Sequence, residues 1–173
     1  MKKDNKKENL SAIFLIGLPG SGKTTFGKLL AKERGLSFID LDDYIEEKEQ
    51  MNIPQIFEKY GEKYFRDLEN IALLECSKLS NVVIATGGGI VINPANRRIL
   101  KASKNVVYIK RNCSDIIKNV DMSNRPLLRE NPEKVYELYE HRHNYYNESA
   151  SIILENDSTI NKLLNSYSLK EII

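Results

Sequence analysis

Short apolar runs recur along the chain, and each contains few polar residues. They lie within the segments "SAIFLIG", "LSFIDLDD", "NVVIAT", "NVVYIK" and "SIILEN". A short run without polar alternation is typical of a strand that is buried on both faces of a parallel sheet. The pattern therefore predicts five strands, the third of which ends directly before three consecutive glycines.

The stretches between these runs have helical spacing. The segment "KTTFGKLLAKERG" predicts a helix that stops at Gly35. A second helix is predicted from Glu62 to Cys76, with an apolar stripe of Phe65, Leu68, Ile71 and Ala72. A third is predicted from Pro132 to about Tyr146, because proline is favoured in the first turn of a helix. Strands that alternate with helices indicate an α/β fold with a mainly parallel sheet.

The chain length of 173 residues fits one domain with at most a small lid. Residues 1–11 are charged and lack a long apolar run, so we expect a disordered tail there and the domain over residues 12–173. The polar segment from Asn119 to Pro132 carries two prolines and is long for a loop inside a compact domain. Loops of this kind are often mobile lids over a binding site.

The composition argues against several classes of protein. With 26 basic and 24 acidic residues the net charge is +2, which is too balanced to indicate a nucleic-acid-binding protein. No segment approaches the ~20 apolar residues of a membrane span, so we expect no membrane association. Cys76 and Cys113 are far apart in sequence and predict free, buried thiols in the reducing cytoplasm. We also expect a monomer.

The segment "GLPGSGKTT" carries the clearest chemical signal. Gly17, Gly22, Lys23 and Thr24 fit the pattern G-x-x-x-x-G-K-[ST] between a predicted strand and a predicted helix. Glycines let phosphate oxygens approach backbone N–H groups, and the helix directs the positive end of its dipole at them. The lysine reaches the β- and γ-phosphates, and the threonine hydroxyl suits Mg²⁺. We therefore expect a nucleotide and Mg²⁺ at Gly20, Ser21, Gly22, Lys23, Thr24 and Thr25.

Two carboxylates end the second predicted strand. Asp40 and Asp42 are two residues apart, so an extended segment would direct both to one side, with Asp43 facing away. Open α/β sheets bind ligands at the carboxyl ends of their strands. One carboxylate can then lie near Mg²⁺ while the other accepts a proton from a substrate hydroxyl. The alternative is an N-cap cluster for the following helix, for which Asp42 or Asp43 is suited.

The three glycines after the third strand, Gly87, Gly88 and Gly89, lie on the same predicted rim. Without side chains there, a ligand can approach the backbone and bind its N–H groups. The alternative is a turn that needs a positive φ at one position, but a single glycine would satisfy it. Three in a row therefore favour a ligand cradle.

Three arginines complete a set of motifs: Arg66 in "GEKYFRDLEN", Arg125 in "NRPLL" and Arg142 in "YEHRHNYY". Each alone is compatible with an exposed surface position, but a guanidinium is also the preferred partner of a carboxylate or phosphate. Together with "GLPGSGKTT", "FIDLDDYIE" and "VIATGGG", they make the sequence resemble the shikimate kinase family, which belongs to the nucleoside-monophosphate-kinase-like P-loop proteins. The resemblance covers about Ala12 to Glu155.

The resemblance implies a three-layer P-loop fold with a mobile lid and a substrate-binding helical part at about residues 41–77. It also implies ATP-dependent phosphorylation of the 3-hydroxyl of shikimate, on the route to chorismate and the aromatic amino acids. The implied roles follow position by position. Lys23 and Arg125 act on the transferring phosphate, and Asp40 with Thr24 holds Mg²⁺. Asp42 bonds the ring hydroxyls of the substrate as the base, Arg66 and Arg142 clamp its carboxylate, and Gly87 to Gly89 lie against its ring. Lys118 takes the place of an arginine that stacks on adenine.

Two alternatives remain beside this interpretation. A gluconate-type or nucleoside-monophosphate kinase would share the scaffold, but a nucleotide acceptor would add base-stacking contacts, whereas Arg66 and Arg142 suit a carboxylate. A catalytically silent nucleotide-binding protein would be expected to lack Lys23, Asp42 or Arg125, and all three are present.

Overall fold

The structure, a computed structural model, describes residues 10–119, 131–157 and 159–171. Within these ranges five strands form one sheet: Ile13–Ile16 (β1), Ser37–Asp40 (β2), Val82–Ala85 (β3), Val106–Lys110 (β4) and Ile152–Glu155 (β5). Their order is β2-β3-β1-β4-β5, and all neighbouring strands are parallel. The predicted five-stranded parallel sheet is therefore confirmed.

Both faces of the central strands are buried, which explains their uninterrupted apolar runs. Every residue of β1 and β3 is buried. Because successive side chains of a strand point to opposite faces, β1 contributes to two separate cores. Phe14 and Ile16 pack in one apolar cluster, and Ile13 and Leu15 pack in the other. A polar residue at every second position of β1 would have been buried in one of these two cores, so the strand contains only apolar residues.

Helices connect the strands in the described ranges: Lys23–Arg34 (α1), Leu41–Glu49 (α2), Ile53–Cys76 (α3), Pro94–Ala102 (α4), Cys113–Asn119 (α5), Lys134–Ser149 (α6) and Ile160–Glu171 (α7). The predicted stop of α1 is confirmed, because Gly35 adopts a left-handed conformation with φ 64° and closes the helix. The helix predicted from Pro132 to about Tyr146 corresponds to α6, which lies slightly further along the chain.

Helix α3 differs most from its prediction. It begins at Ile53 rather than Glu62, and two helical segments meet at Gly61, where φ is 79° and ψ is 173°. The predicted stripe is wrong at Ile71, which is 53% exposed. Glu69 lies in the buried face instead and is 1% exposed. The buried carboxylate of Glu69 interrupts the apolar periodicity of the helix, so the sequence pattern assigned the exposed Ile71 to the buried face instead.

The two ends of the described chain are attached to the domain. The carbonyl of Leu10 accepts from the backbone N–H of Asn81, and the N–H of Leu10 donates to Oδ1 of Asn81. Ser11 forms a bridge with Ser80, so these two residues differ from the predicted tail. At the other end, α7 packs on α1, where the rings of Tyr167 and Phe26 meet edge to face at 6.0 Å. The end of the chain thereby completes the core on one face of the sheet.

The sheet order determines where a ligand can bind. The chain passes from β1 outward to β2, returns to β3 beside β1, and then continues to β4 on the other side of β1. The connections after β1 and β4 therefore diverge at the carboxyl edge, which opens a crevice at this switch point. In the described part of the chain no helix has the length and apolar character needed to cross a membrane. Cys76 and Cys113 are free and buried, as predicted.

Candidate active site

The phosphate loop, residues 17–25, joins β1 to α1. Its three glycines, Gly17, Gly20 and Gly22, have φ values of 145°, 84° and 100°. These left-handed conformations are accessible to glycine and strained for other residues, so the backbone path itself requires the glycines. Gly22 is the N-cap of α1 and has no capping side chain. The first N–H groups of α1 therefore face the crevice, which suits a bound phosphate.

Lys23 lies over the phosphate loop rather than in solvent. Its side chain is buried, and Nζ donates hydrogen bonds to the carbonyl oxygens of Gly17 at 2.9 Å and Leu18 at 2.8 Å. The hydroxyl of Ser21 is buried and has no hydrogen-bond partner among the described residues. A buried ammonium and an unpartnered hydroxyl in one loop fit an anion that bonds to both.

Thr24 and Asp40 connect the phosphate loop to β2. The hydroxyl of Thr24 donates to Oδ2 of Asp40 at 2.9 Å, while Thr25 is exposed beside it. Both contacting atoms are hard oxygens, the ligand type that Mg²⁺ prefers. The described residues contain no cluster of three His, Cys, Asp or Glu side chains that could hold a metal by themselves. The pair therefore fits a cation that is completed by phosphate and water oxygens.

The geometry expected for the two aspartates is wrong in one respect. The strand ends at Asp40 and α2 begins at Leu41, so Asp42 lies in the first helical turn rather than in an extended segment. Asp40 is the N-cap, and its Oδ1 accepts from the backbone N–H of Asp42 at 3.2 Å. Capping thus falls to Asp40 rather than to Asp42 or Asp43. Because a cap side chain folds over the first turn, the two carboxylates still lie close together.

Asp42 has the chemistry of a base. Its Oδ1 is buried and has no hydrogen-bond partner in the described structure. Burial, with smaller contributions from the charges of Asp40 and Glu69, raises the pKa of Asp42 to about 7, although Lys23 opposes the shift. A carboxylate with such a pKa can accept a proton from a hydroxyl far better than an ordinary exposed aspartate.

The glycine loop, residues 87–92, answers why three glycines follow β3. None of the three has a positive φ, so the alternative of a strained turn is wrong. A β-carbon would instead collide with a different neighbour at each position. At Gly87 it would lie 2.9 Å from Oδ1 of Asp42, and at Gly88 it would lie 2.6 Å from Cδ of Pro19 in the phosphate loop. At Gly89 it would overlap the guanidinium of Arg66.

Arg66 projects from α3 toward the glycine loop. Its Nη1 donates to Oε2 of the buried Glu69 at 2.6 Å, and its Nε and Nη2 donate to Oε1 of Glu62 at 3.2 and 3.0 Å. The two carboxylates hold the plane of the guanidinium in one orientation. Burial raises the pKa of Glu69, and the positive charges of Arg66 and Arg142 oppose that shift. Both arginines therefore lie near one buried carboxylate.

Arg142 approaches the same loop from α6. Its Nη1 donates to the carbonyl oxygen of Gly88 at 3.1 Å, and the hydroxyl of Tyr146 donates to the same oxygen at 2.5 Å. Tyr146 is fully buried and stacks on Tyr108 of β4 with ring centroids 5.0 Å apart. The structure thus brings Asp42, Arg66 and Arg142 close to the three glycines.

Two other predicted residues are not among these contacts. Lys118 is exposed in the last turn of α5. Arg125 and most of the proposed lid, residues 120–130, fall outside the described residues.

Sequence reasoning assigned no role to several residues of the site. Arg111 donates to the carbonyl of Gly20 at 3.1 Å, and Asn156 donates to that of Ser21 at 2.8 Å. Pro19 touches the glycine loop, and Glu69 orients Arg66. Only Glu69 carried a local signal, because it lies three residues after Arg66 on a helix, where side chains meet.

The fold and the site define a class of protein. A phosphate loop at the switch point of a parallel sheet, with a basic carboxylate and two arginines beside it, describes a P-loop kinase for a small anionic acceptor. The comparisons with known proteins agree. The sequence model of the family described as "Shikimate kinase" matches residues 19–172.

Individual relatives match over nearly their whole length. The shikimate kinase of Clostridium botulinum (strain Alaska E43 / Type E3) is 46% identical over 93% of this chain and 96% of its own, and that of Clostridium beijerinckii is 41% identical over 93% and 94%. Among solved structures, the shikimate kinase from Acinetobacter baumannii in complex with shikimate is 38% identical. It has a TM-score of 0.85 over 94% of this chain and 93% of its own. The chain belongs to the shikimate kinase family, which confirms the predicted resemblance and fold.

Proposed function

We propose that this chain transfers the γ-phosphoryl group of ATP to the 3-hydroxyl of shikimate, giving shikimate 3-phosphate and ADP. One observation carries the proposal. The glycine loop lies against the phosphate loop at Pro19, against the base Asp42 and against Arg66. An acceptor on this loop would therefore face the phosphate donor, a base and a cationic group together, which is the positioning that phosphoryl transfer requires.

Asp42 would accept the proton of the attacking hydroxyl. Its pKa near 7 leaves it ionised at slightly alkaline pH while keeping it more basic than an ordinary carboxylate. Lys23, which lies over the phosphate loop, would move onto the β- and γ-phosphates and stabilise their charge. Arg125 would close on the transferring phosphate as part of a lid at residues 119–132.

Arg66 and Arg142 would bind the carboxylate of the acceptor. They approach the glycine loop from α3 and α6, and both act on the buried Glu69. A planar guanidinium binds a carboxylate through two parallel hydrogen bonds, which fixes orientation as well as charge. Such a clamp favours a small carboxylic acid over a nucleotide acceptor, which offers a phosphate and a base in place of a carboxylate.

Thr24 and Asp40 would hold Mg²⁺, and Lys118 would lie beside the adenine. The hydroxyl of Thr24 and the carboxylate of Asp40 are in contact, so one cation can share both. Mg²⁺, when bound, neutralises charge that develops on the β- and γ-phosphates. We further place the enzyme in the cytoplasm as a monomer over residues 12–173. The two free, buried thiols suit a reducing compartment.

A coupled assay of ADP release tests the proposal. Purified protein is mixed with ATP, Mg²⁺ and shikimate, and parallel reactions contain gluconate or nucleoside monophosphates. Turnover with shikimate alone is the expected result. Turnover only with another acceptor would show that a related kinase activity is correct. Nucleotide binding without turnover on any acceptor would support the silent nucleotide-binding protein.

A further inference from the structure

Every backbone carbonyl of the glycine loop has a hydrogen-bond donor. The oxygens of Gly87 and Gly89 accept from the N–H groups of Ile90 and Ile92 in two successive turns, at 3.2 and 2.9 Å. The oxygen of Gly88 accepts from α6. The remaining three carbonyls, those of Ile90, Val91 and Ile92, accept from side chains of α4. The path of the loop is therefore held from two helices.

Arg97 supplies two of these bonds with a single nitrogen. Its Nη1 donates to the carbonyl oxygens of Val91 at 2.7 Å and Ile92 at 2.9 Å. The guanidinium also lies over the ring of Tyr145, with Cζ 4.1 Å from the ring centroid. Because Tyr145 is on α6, directly before Tyr146, Arg97 connects the end of the glycine loop to the helix that carries Arg142.

Asn96 makes the corresponding connection to α3. It is fully buried, its Nδ2 donates to the carbonyl of Ile90 at 3.0 Å, and its Oδ1 accepts from Asn70 at 2.8 Å. Asn70 directly follows Glu69, the partner of Arg66. Asn96 and Arg97 thus relate the loop to both helices that supply arginines.

We propose that Arg97 is a positioning residue for the acceptor acid. The inference rests on the proposed function, in which the glycine loop lies against the acceptor. A peptide unit is planar, so holding a carbonyl also fixes the direction of the next N–H group. By binding the carbonyls of Val91 and Ile92 from α4 and stacking on α6, Arg97 keeps the glycines at a fixed position relative to the arginines that clamp the acceptor. It contacts neither reacting group itself.

A merely structural role for Arg97 is less consistent with its surroundings. The hydrogen bond to Ile92 is exposed and the one to Val91 is part-buried, so water can satisfy the carbonyl of Ile92 if the guanidinium is removed, whereas the carbonyl of Val91 is less accessible. Replacing one hydrogen bond by another to water changes the free energy of folding little. The orientation that the arginine imposes on the loop would be lost in the exchange. The main consequence should therefore fall on acceptor binding rather than on folding.

The test compares three variants of the full chain. Arg97→Gln removes the charge and the contact with Tyr145, and Arg97→Lys retains an ammonium that can donate to both carbonyls. Arg98→Gln is the matched control, because Arg98 is the next residue of α4 and is exposed. For each, KM for shikimate, KM for ATP, kcat and the apo Tm are measured, and shikimate binding is measured by calorimetry.

We expect Arg97→Gln to raise KM and Kd for shikimate about tenfold, which corresponds to ~1.4 kcal/mol, with KM for ATP and the apo Tm close to wild type. Arg97→Lys should recover part of the loss, and Arg98→Gln should match wild type. Equal KM values for shikimate in the two glutamine variants would overturn the proposal. A parallel rise in both KM values with a lower apo Tm would also overturn it, in favour of a structural role. If wild type neither binds nor phosphorylates shikimate, the proposed function fails first.

Discussion

The phosphate loop and the glycine loop both contain three glycines, but they need them for different reasons. In the phosphate loop Gly17, Gly20 and Gly22 have positive φ values, so the backbone conformation requires glycine. The glycines at 87 to 89 have no positive φ. There the closeness of Asp42, Pro19 and Arg66 leaves no room for a β-carbon.

The two loops therefore differ in what determines their backbone conformation. The phosphate loop shapes its own backbone around an anion that any nucleotide triphosphate provides. The glycine loop forms two short turns of its own, and side chains from α4 and α6 hold the rest of it in place. Donor binding should therefore depend on local conformation, whereas acceptor binding should depend on distant helices.

The largest expected effect comes from Asp42→Asn. A neutral amide cannot take the proton of the attacking hydroxyl, so kcat should fall by about 10²- to 10⁴-fold. ATP affinity, a property of the other loop, should be retained. Stopped-flow or coupled kinetics together with nucleotide titration would measure both. A kcat near that of wild type would exclude Asp42 as the base.

Paired alanine substitutions test the comparison directly. Gly89→Ala should push Arg66 aside and raise KM for shikimate, because overpacking typically costs about 1–3 kcal/mol, or roughly 5- to 150-fold. Gly22→Ala, at a φ of 100°, should instead weaken ATP binding. Steady-state kinetics with each substrate varied would measure both effects. If both variants affect the same substrate, the division between the loops is wrong.

Arg66→Ala should raise KM for shikimate by about tenfold or more, since charge-assisted hydrogen bonds contribute ~1.5–3 kcal/mol, with little change in KM for ATP. It should also lower Tm, because Glu69 is 1% exposed and would be left without its charged partner. Thermal unfolding of Arg66→Ala/Glu69→Gln is the control, and the second substitution should recover Tm without recovering KM. An unchanged KM in Arg66→Ala would remove this arginine from the acceptor site.

The smallest effect concerns pH. The raised pKa of Asp42 means that its carboxyl group is protonated and inactive as a base below about pH 7, and ionised above it. Since kcat/KM reports the free enzyme, its value for shikimate should rise about fourfold from pH 6.5 to pH 8. Binding of a non-hydrolysable ATP analogue should not follow the same curve. A flat kcat/KM profile over this range would contradict the raised pKa.

The elements of the fold were predictable because their signals are local. The central strands β1, β3 and most of β4 are continuous apolar runs with both faces buried, and Gly35 ends α1 through its own φ. The errors occurred where a specific polar contact overrides the periodic pattern of the sequence. Glu69 occupies a buried position that the pattern assigned to an apolar residue, because it pairs with Arg66. Asp40 ends its strand as a helix cap, so the two-residue periodicity of a strand did not apply to Asp42.

The sequence by itself determined the phosphate loop and the sheet, because motif residues and periodicity act over a few neighbours, and it singled out arginines and aspartates as candidate site residues. Only the tertiary structure decided why Gly87, Gly88 and Gly89 are glycines. Their neighbours Asp42, Pro19 and Arg66 come from three other parts of the chain. The donors that hold the glycine loop, Arg97 and Tyr146, come from two further helices. Such contacts depend on how the helices pack around the sheet, which no short segment of sequence specifies.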